Sequence, residues 1–168
     1  MSNAKTAAPV ASTPLPMLER RRIEANILKQ VYETLKARYG QAEAAKVIGD
    51  AVRSASIKQG EEMAASVGGN TSIQTFADLQ PLWTMDGALE LDVIRQDEQH
   101  MDFNVTRCRY SEMYREMGLG GIGHLLSCQR DGTFCEGYDA RLKLTRTQTI
   151  MQGASHCDFR YRLETPKT

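Results

Sequence analysis

Between Cys108 and Cys157 lie all four cysteines of this chain, each close to groups that alter thiol chemistry. Cys108 stands between Arg107 and Arg109, Cys128 is followed by Arg130 and Asp131, and Cys157 follows His156. A guanidinium beside a thiol favours the thiolate, the form that attacks carbon or binds metal. A carboxylate or imidazole beside it supplies a base. His124 precedes Cys128 by four residues, a spacing that puts imidazole and thiol on one face of a helix. Two chemistries follow. In one, Cys128 or Cys157 serves as nucleophile, or else as a ligand of a zinc-bound hydroxide, with Asp131 or His156 handling protons and Cys108 a further catalytic group. In the other, Cys108, Cys128, Cys135 and Cys157 hold a zinc ion, alone or with a carboxylate or histidine. No CxxC or HExxH spacing supports the metal. A cysteine is also an ordinary small buried hydrophobe, and His100 reads as a turn residue.

These residues need elements to position them. From Met17 to Tyr39 apolar residues recur at Ile23, Ile27, Val31, Leu35 and Tyr39, which predicts a helix with that stripe packed in the core and stopped by Gly40. A second helix from Gln41 carries Ala45, Ile48, Val52 and Ala55, small enough to let it pack closely against the first. Ser72 or Thr71 caps a short helix with Ile73, Phe76 and Leu79, which Pro81 ends or kinks. Trp83 follows, as a core plug or the floor of a ligand pocket.

At Ala88 the period changes to two. Leu89–Ile94 and Met101–Val105 read as strands joined by Asp97–His100, and a second pair reads as Leu142–Met151 and Cys157–Leu163 around Gln152–Ser155. The first pair is acidic on its polar positions and the second basic, so the two complement each other across one sheet. Between the pairs, Tyr110–Met117 and Ile122–Cys128 read as short helices about a glycine-containing link, with Asp131-Gly132 in a turn after the second. That link lacks the Lys-Ser/Thr ending of a phosphate loop and the glycine spacing of a dinucleotide fingerprint. The expected fold is α+β: an antiparallel sheet of about four strands with an N-terminal helical pair and short helices packed on it.

Composition narrows the function. The 168 residues fit one domain over 17–168, preceded by a tail over 1–16 rich in Ala, Ser, Thr and Pro that cannot bury enough apolar surface to order itself. Lys and Arg number 21, as do Asp and Glu, so no excess positive field draws nucleic acid or anionic lipid. No apolar run approaches the ~20 residues that span a bilayer, and the N-terminus has no basic-then-apolar signal. The expectation is a cytoplasmic protein with free thiols and a small-molecule substrate, without a nucleic-acid or membrane partner. The N-terminal helices offer a surface for a homo-oligomer.

Segments 103–118, 123–138 and 142–161 together resemble the family of L-2-amino-thiazoline-4-carboxylic acid hydrolases, over roughly residues 25–162. The ordered set is Arg107-Cys108, Cys128-x-x-Asp131, the basic strand with Thr147 and Thr149, and Gly153 followed by Cys157-Asp158-Phe159. The resemblance implies hydrolytic opening of a cyclic amidine thioether to N-carbamoyl-cysteine or a related product. Such a reaction needs a water or thiolate attacking the carbon between sulfur and the nitrogens, donors for the tetrahedral intermediate, and departure of sulfur. Arg107 or Arg109 is then the expected clamp for the substrate carboxylate, since a guanidinium fork matches two carboxylate oxygens, and His124 a further substrate contact. The cysteine layout is also similar to vinyl-reductase-like small-molecule-binding domains, some of which hold zinc through cysteines. The alternative function is therefore a non-catalytic binding or sensor domain with a structural Cys-ligated zinc.

Overall fold

A computed structural model describes residues 15–165; most of the expected N-terminal tail lies outside them. Two long helices, α1 (Met17–Tyr39) and α2 (Gln41–Ser66), are separated by Gly40 alone, whose φ of 87° lies where a side chain would be strained. Ser72 then caps α3 (Ile73–Ala77) in a reciprocal pairing with Thr75. Pro81 opens the next helix, α4 (Pro81–Thr84), because its missing N–H costs nothing in a first turn. Strands β1 (Leu89–Gln96) and β2 (His100–Cys108) form the first hairpin. After them come α5 (Arg109–Glu116), a π-helical turn (His124–Cys128), α6 (Gln129–Tyr138), β3 (Leu142–Thr145), a 3-10 turn (Ile150–Gln152) and β4 (Cys157–Leu163).

The four strands form one antiparallel sheet in the order β1-β2-β4-β3, so the fold is α+β. Alternation sends one side chain in two to the covered face. Its central rungs are Met101 opposite Tyr161, Phe103 opposite Phe159 and Val105 opposite Cys157, all buried. On this face lie α3 and α6, which contribute Ile73, Phe76, Phe134, Cys135 and Tyr138. A second core joins α1 and α2 to α5 through Ala25, Tyr32, Ile48, Val52, Met113 and Tyr114.

Three local expectations are corrected. The series Ile23, Ile27, Val31, Tyr39 is solvent-exposed, Ile27 at 67%. Steps of four residues rotate about 40° each around a 3.6-residue helix, so that series winds around the surface. The face that stays aligned alternates steps of three and four: Leu18, Arg21, Ala25, Leu28, Tyr32 and Leu35 all lie in or against the core. Cys128–Gly132 is no helix-to-turn junction, since the π-turn runs directly into α6 and Gly132 is helical. The expected strand from Leu142 to Met151 ends at Thr145, where the chain bends and Asp158 receives the backbone N–H groups of Thr147 and Gln148 at 2.9 Å.

Ala45, Ile48 and Val52 of α2 lie in or against the core shared with α1, as expected. A second close approach of α2 is to α6, where a Cβ on Gly137 would overlap the carbonyl of Ile57 and one on Gly60 would overlap that of Phe134. Ala55 is exposed, and Ser56 instead faces inward, donating to the carbonyl of Arg130 at 3.1 Å. Gln129 donates to the carbonyl of Gly49 at 2.8 Å. Among the described residues no helix is long and apolar enough to cross a membrane.

Gly137→Ala is expected to lower stability by about 2 kcal/mol or more, because backbone cannot yield as a flexible side chain does. Gly132→Ala, in the same helix with open space around it, is expected to gain about 0.5–1 kcal/mol. Urea unfolding midpoints of the two variants at unchanged m-value check the contrast.

Candidate functional site

The cavity lies between the sheet and the helices and has two adjoining lobes of similar size, both partly open to solvent. Arg21, Trp83, Leu89, Arg130, Asp131 and Phe159 line both. The second lobe also exposes Cys108, Cys128, Cys157, Ser127, Tyr110 and Arg146. Four residues expected to act together from sequence, Cys108, Cys128, Asp131 and Cys157, therefore share one chamber.

Each arrives there for a local reason. Cys157 is the inward residue at the start of β4, on the rung opposite Val105. Cys108 closes β2 and leads into α5, whose Ser111 donates back to the Cys108 carbonyl at 2.8 Å. Cys128 and Asp131 are three apart on the continuous π-to-α segment and so project to one side. The wider π-turn brings Ser127 to the wall along with Cys128.

Arg146 is the group that completes the chamber. The bend after β3 turns its side chain inward, and the hydroxyl of Thr147 donates to Asp158 at 2.6 Å to hold that bend. Its guanidinium donates to Asp131 at 2.5 Å and to the Cys128 carbonyl at 2.9 Å, and lies 4.9 Å from the centre of the Phe159 ring. Behind the cavity, Arg21 donates to both oxygens of Glu24 at 2.9 and 2.8 Å and to Gln59 at 3.0 Å. Arg130 reaches the same Glu24 at 3.2 Å and the Leu126 carbonyl at 2.8 Å. Three guanidinium groups thus face the cavity region against two carboxylates, which leaves the enclosure positively charged and suited to an anion.

Burial sets the protonation of these groups. Asp131 is ringed by protein, yet 29% of its side chain opens onto the cavity. Loss of hydration pushes its carboxyl above the usual range, and Arg146, Arg21 and Arg130 oppose the shift without cancelling it. For Arg146 desolvation acts downward, but the charge and hydrogen bond of Asp131 outweigh it and hold the guanidinium above its ordinary value. Arg130 is pulled down to about 10 by desolvation and then by Arg21, and remains charged at neutral pH. The expectation of thiolates is corrected: burial, then the charge of Asp131, pushes Cys128 up to about 12 despite Arg146. Burial likewise raises Cys157 to about 11, Cys135 to about 12, and Cys108 above its ordinary value.

Other expected residues lie elsewhere. Arg107 is exposed, bound to Glu112 at 3.0 Å with Glu90 at 3.7 Å, and Arg109 donates to the Asp86 carbonyl at 2.9 Å. Neither lines a lobe, because the strand end directs Cys108 inward and its neighbours outward. His156 is turned away from Cys157, its ring against Gln148 at 3.2 Å and Ser155 at 3.0 Å. His124 is half-buried outside both lobes. Cys135 sits on α6 with its thiol donating to the Asp131 carbonyl at 3.3 Å, away from the other three. Among the described residues no three His, Cys, Asp or Glu side chains converge as a metal would require. The four-cysteine set does not fit zinc.

Sequence reasoning overlooked Arg21, Arg146, Tyr110 and Gln59. Arg21 had a signal: it is the one charged member of the aligned face Leu18-Arg21-Ala25-Leu28-Tyr32 of α1. Trp83 is a pocket wall as well as a core residue, held by the Tyr110 hydroxyl donating to its carbonyl at 3.0 Å.

Compared with known proteins, residues 20–161 match the family model described as L-2-amino-thiazoline-4-carboxylic acid hydrolase. No curated protein matches the chain. Among solved structures it is similar to the phenol-responsive sensory domain of the transcription activator PoxR with phenol, at 12% identity over 85% of this chain and 74% of that one, with a TM-score of 0.51. It is also similar to a trafficking protein particle complex subunit 3 from Naegleria fowleri covalently bound to palmitic acid, at 10% identity over 88% and 96%, with a TM-score of 0.50. At these identities the likeness is one of fold.

Because a raised thiol pKa leaves less thiolate at a given pH, Cys128 and Cys157 are expected to react with a disulfide reagent at pH 7 far more slowly than free cysteine. The rate should climb tenfold per pH unit up to pH 9, and all four thiols should react at once in denaturant. Stopped-flow thiol titration checks it; a fast-reacting native thiol at pH 7 contradicts the buried electrostatics.

Proposed function

The chain belongs to the L-2-amino-thiazoline-4-carboxylic acid hydrolase family, and from that premise we propose that it opens a small sulfur- and nitrogen-containing heterocycle by hydrolysis inside this cavity. The observation that carries the reading is the Asp131 carboxylate, gripped by Arg146 and open to a positively charged chamber. Arg21 and Arg130 receive the substrate carboxylate, in place of Arg107 or Arg109. This places the amidine carbon toward Asp131 and Cys128.

Water is the nucleophile in this scheme, since the thiols keep their protons at neutral pH. Asp131 takes a proton from water as its oxygen bonds to the carbon between sulfur and the nitrogens; the C=N π pair moves onto nitrogen, and Asp131 passes the proton to that nitrogen. The carbon–sulfur bond then breaks and its electron pair leaves with sulfur, while the remaining hydroxyl becomes the carbonyl and its proton passes through Asp131 to the departing thiolate. The product of the parent ring is N-carbamoyl-cysteine. A thiolate with a pKa near ~8.5 leaves readily, so activation of the attacker is the demanding step. The raised carboxyl of Asp131 makes it a stronger base than a solvated aspartate.

A second reading is a non-catalytic small-molecule-binding domain. Its support is the aromatic lining of the first lobe, together with a fold like that of PoxR's phenol-responsive sensory domain. The exposed series Ile23, Ile27 and Val31 gives a surface through which such a domain would self-associate.

Purified protein incubated with 2-amino-thiazoline-4-carboxylate should release one thiol per ring opened. Asp131→Asn is expected to lower kcat/KM by about 100-fold or more, the span of a lost general base. Cys128→Ser should lower it by less than about tenfold; complete loss with the fold intact would make Cys128 the nucleophile. The acid limb of the pH profile should lie above the ~3.9 of a solvated aspartate, because activity requires the ionised form of a carboxyl whose pKa is raised. Saturable binding without thiol release would favour the second reading.

A further inference from the structure

The first lobe is walled largely by aromatic rings. On the sheet side, Phe103 stacks on Phe159 with ring centres 4.8 Å apart, and Tyr161 continues the stack at 6.0 Å from Phe159. On the helix side, Trp83 meets Phe134 edge to face at 5.6 Å, and Phe76 meets Tyr161 edge to face at 4.7 Å. These six rings hold one another in place and line the lobe.

The lobe is also not purely apolar. Arg21, Gln59 and Arg130 border it, and the side-chain nitrogen of Gln59 is buried without a hydrogen-bond partner among the described residues. Its oxygen accepts from Arg21, which fixes the amide so that the nitrogen is the orphan. A buried donor left unpaired costs free energy, which an acceptor on a ligand would recover. The rings and Gln59 line the same lobe, and Arg21 and Arg130 border both lobes.

We propose that the substrate of this site is a heterocyclic acid carrying an aromatic substituent, with a hydrogen-bond acceptor on that substituent. This rests on the hydrolase reading above for the placement of the reacting ring. The carboxylate sits at Arg21 and Arg130, and the cyclic amidine enters the thiol-lined lobe toward Asp131. The aryl group on the ring carbon beside the carboxylate-bearing one enters the aromatic lobe, where its acceptor meets Gln59. Aromatic rings stack or meet edge to face with the walls present, and gain beyond simple burial from doing so.

Trp83 is the sole tryptophan and borders both lobes, so its fluorescence reports occupancy without turnover. The probes are 2-amino-thiazoline-4-carboxylate and its 5-phenyl and 5-(4-methoxyphenyl) derivatives, titrated into the full chain. The phenyl derivative is expected to bind at least tenfold tighter than the parent acid, and the methoxyphenyl derivative tighter again. Gln59→Leu should remove the gain from the methoxy oxygen and keep the gain from the ring. Phe76→Leu, checked for folding by circular dichroism, should narrow the ratio of phenyl to parent affinity. Equal or weaker binding of both aryl acids by the wild-type chain overturns the proposal, whatever the parent acid does. Tight aryl binding with no thiol released from any of the three overturns the hydrolase reading and leaves the aromatic specificity standing.

Discussion

Everything at the cavity depends on where α6 lies, and α6 is set by backbone meeting backbone at Gly60 and Gly137. Two helices approach this closely only where neither carries a Cβ at the crossing. Once α2 and α6 are seated, Ser56 and Gln129 bridge them with hydrogen bonds to opposite backbones. The far side of α6 then presents Phe134, Cys135 and Tyr138 to the sheet, while Cys128, Arg130 and Asp131 face the space between. An added methyl group at the crossing would push the whole Asp131-bearing segment away from Arg146. A packing constraint about 15 Å in length, on the order of ten helical residues, thereby controls the electrostatics of the chamber.

The second constraint is the bend after β3. Arg146 would continue the strand if the chain ran straight. Asp158 instead accepts from the backbone N–H groups of Thr147 and Gln148 and from the hydroxyl of Thr147, and the strand stops. The residues Thr147 and Asp158, among those on which the resemblance to the family rests, thus have a positioning role that needs no contact with a ligand. Arg146 then neutralises Asp131, spans to the Cys128 carbonyl and covers Phe159, which links three elements through one planar group.

The chamber's charge and its apolar walls act on different parts of a ligand. Buried guanidinium groups attract an anion strongly because little water screens them. The same burial suppresses thiol ionisation, which is why cysteines beside arginines are not thiolates here. Proximity of a positive charge favours a thiolate only when it exceeds the cost of removing the thiolate from water. At Cys128 the neighbouring Asp131 adds to that cost, and Arg146 is already committed to Asp131.

The sequence alone determined the α+β class, the helical pair broken at Gly40, the capped helix at Ser72, the first hairpin and the family. These follow from local rules: period, caps, turn chemistry and an ordered set of motifs. It also marked Cys108, Cys128, Asp131 and Cys157 as belonging together, since their spacing tied each to a strand end or a helix face. Tertiary structure decided which neighbours came with them. Arg107, Arg109 and His156 are adjacent in sequence to the right cysteines but project away from the cavity. Arg21 and Arg146 lie over a hundred and about fifteen residues from Asp131, on the order of what only folding can bring together, and they supply the charge that sequence reading assigned to nearer arginines. The exposed face of α1 was misread for the same reason. Adjacency along a chain fixes which way a side chain points relative to its own element, but only packing fixes which way that element faces.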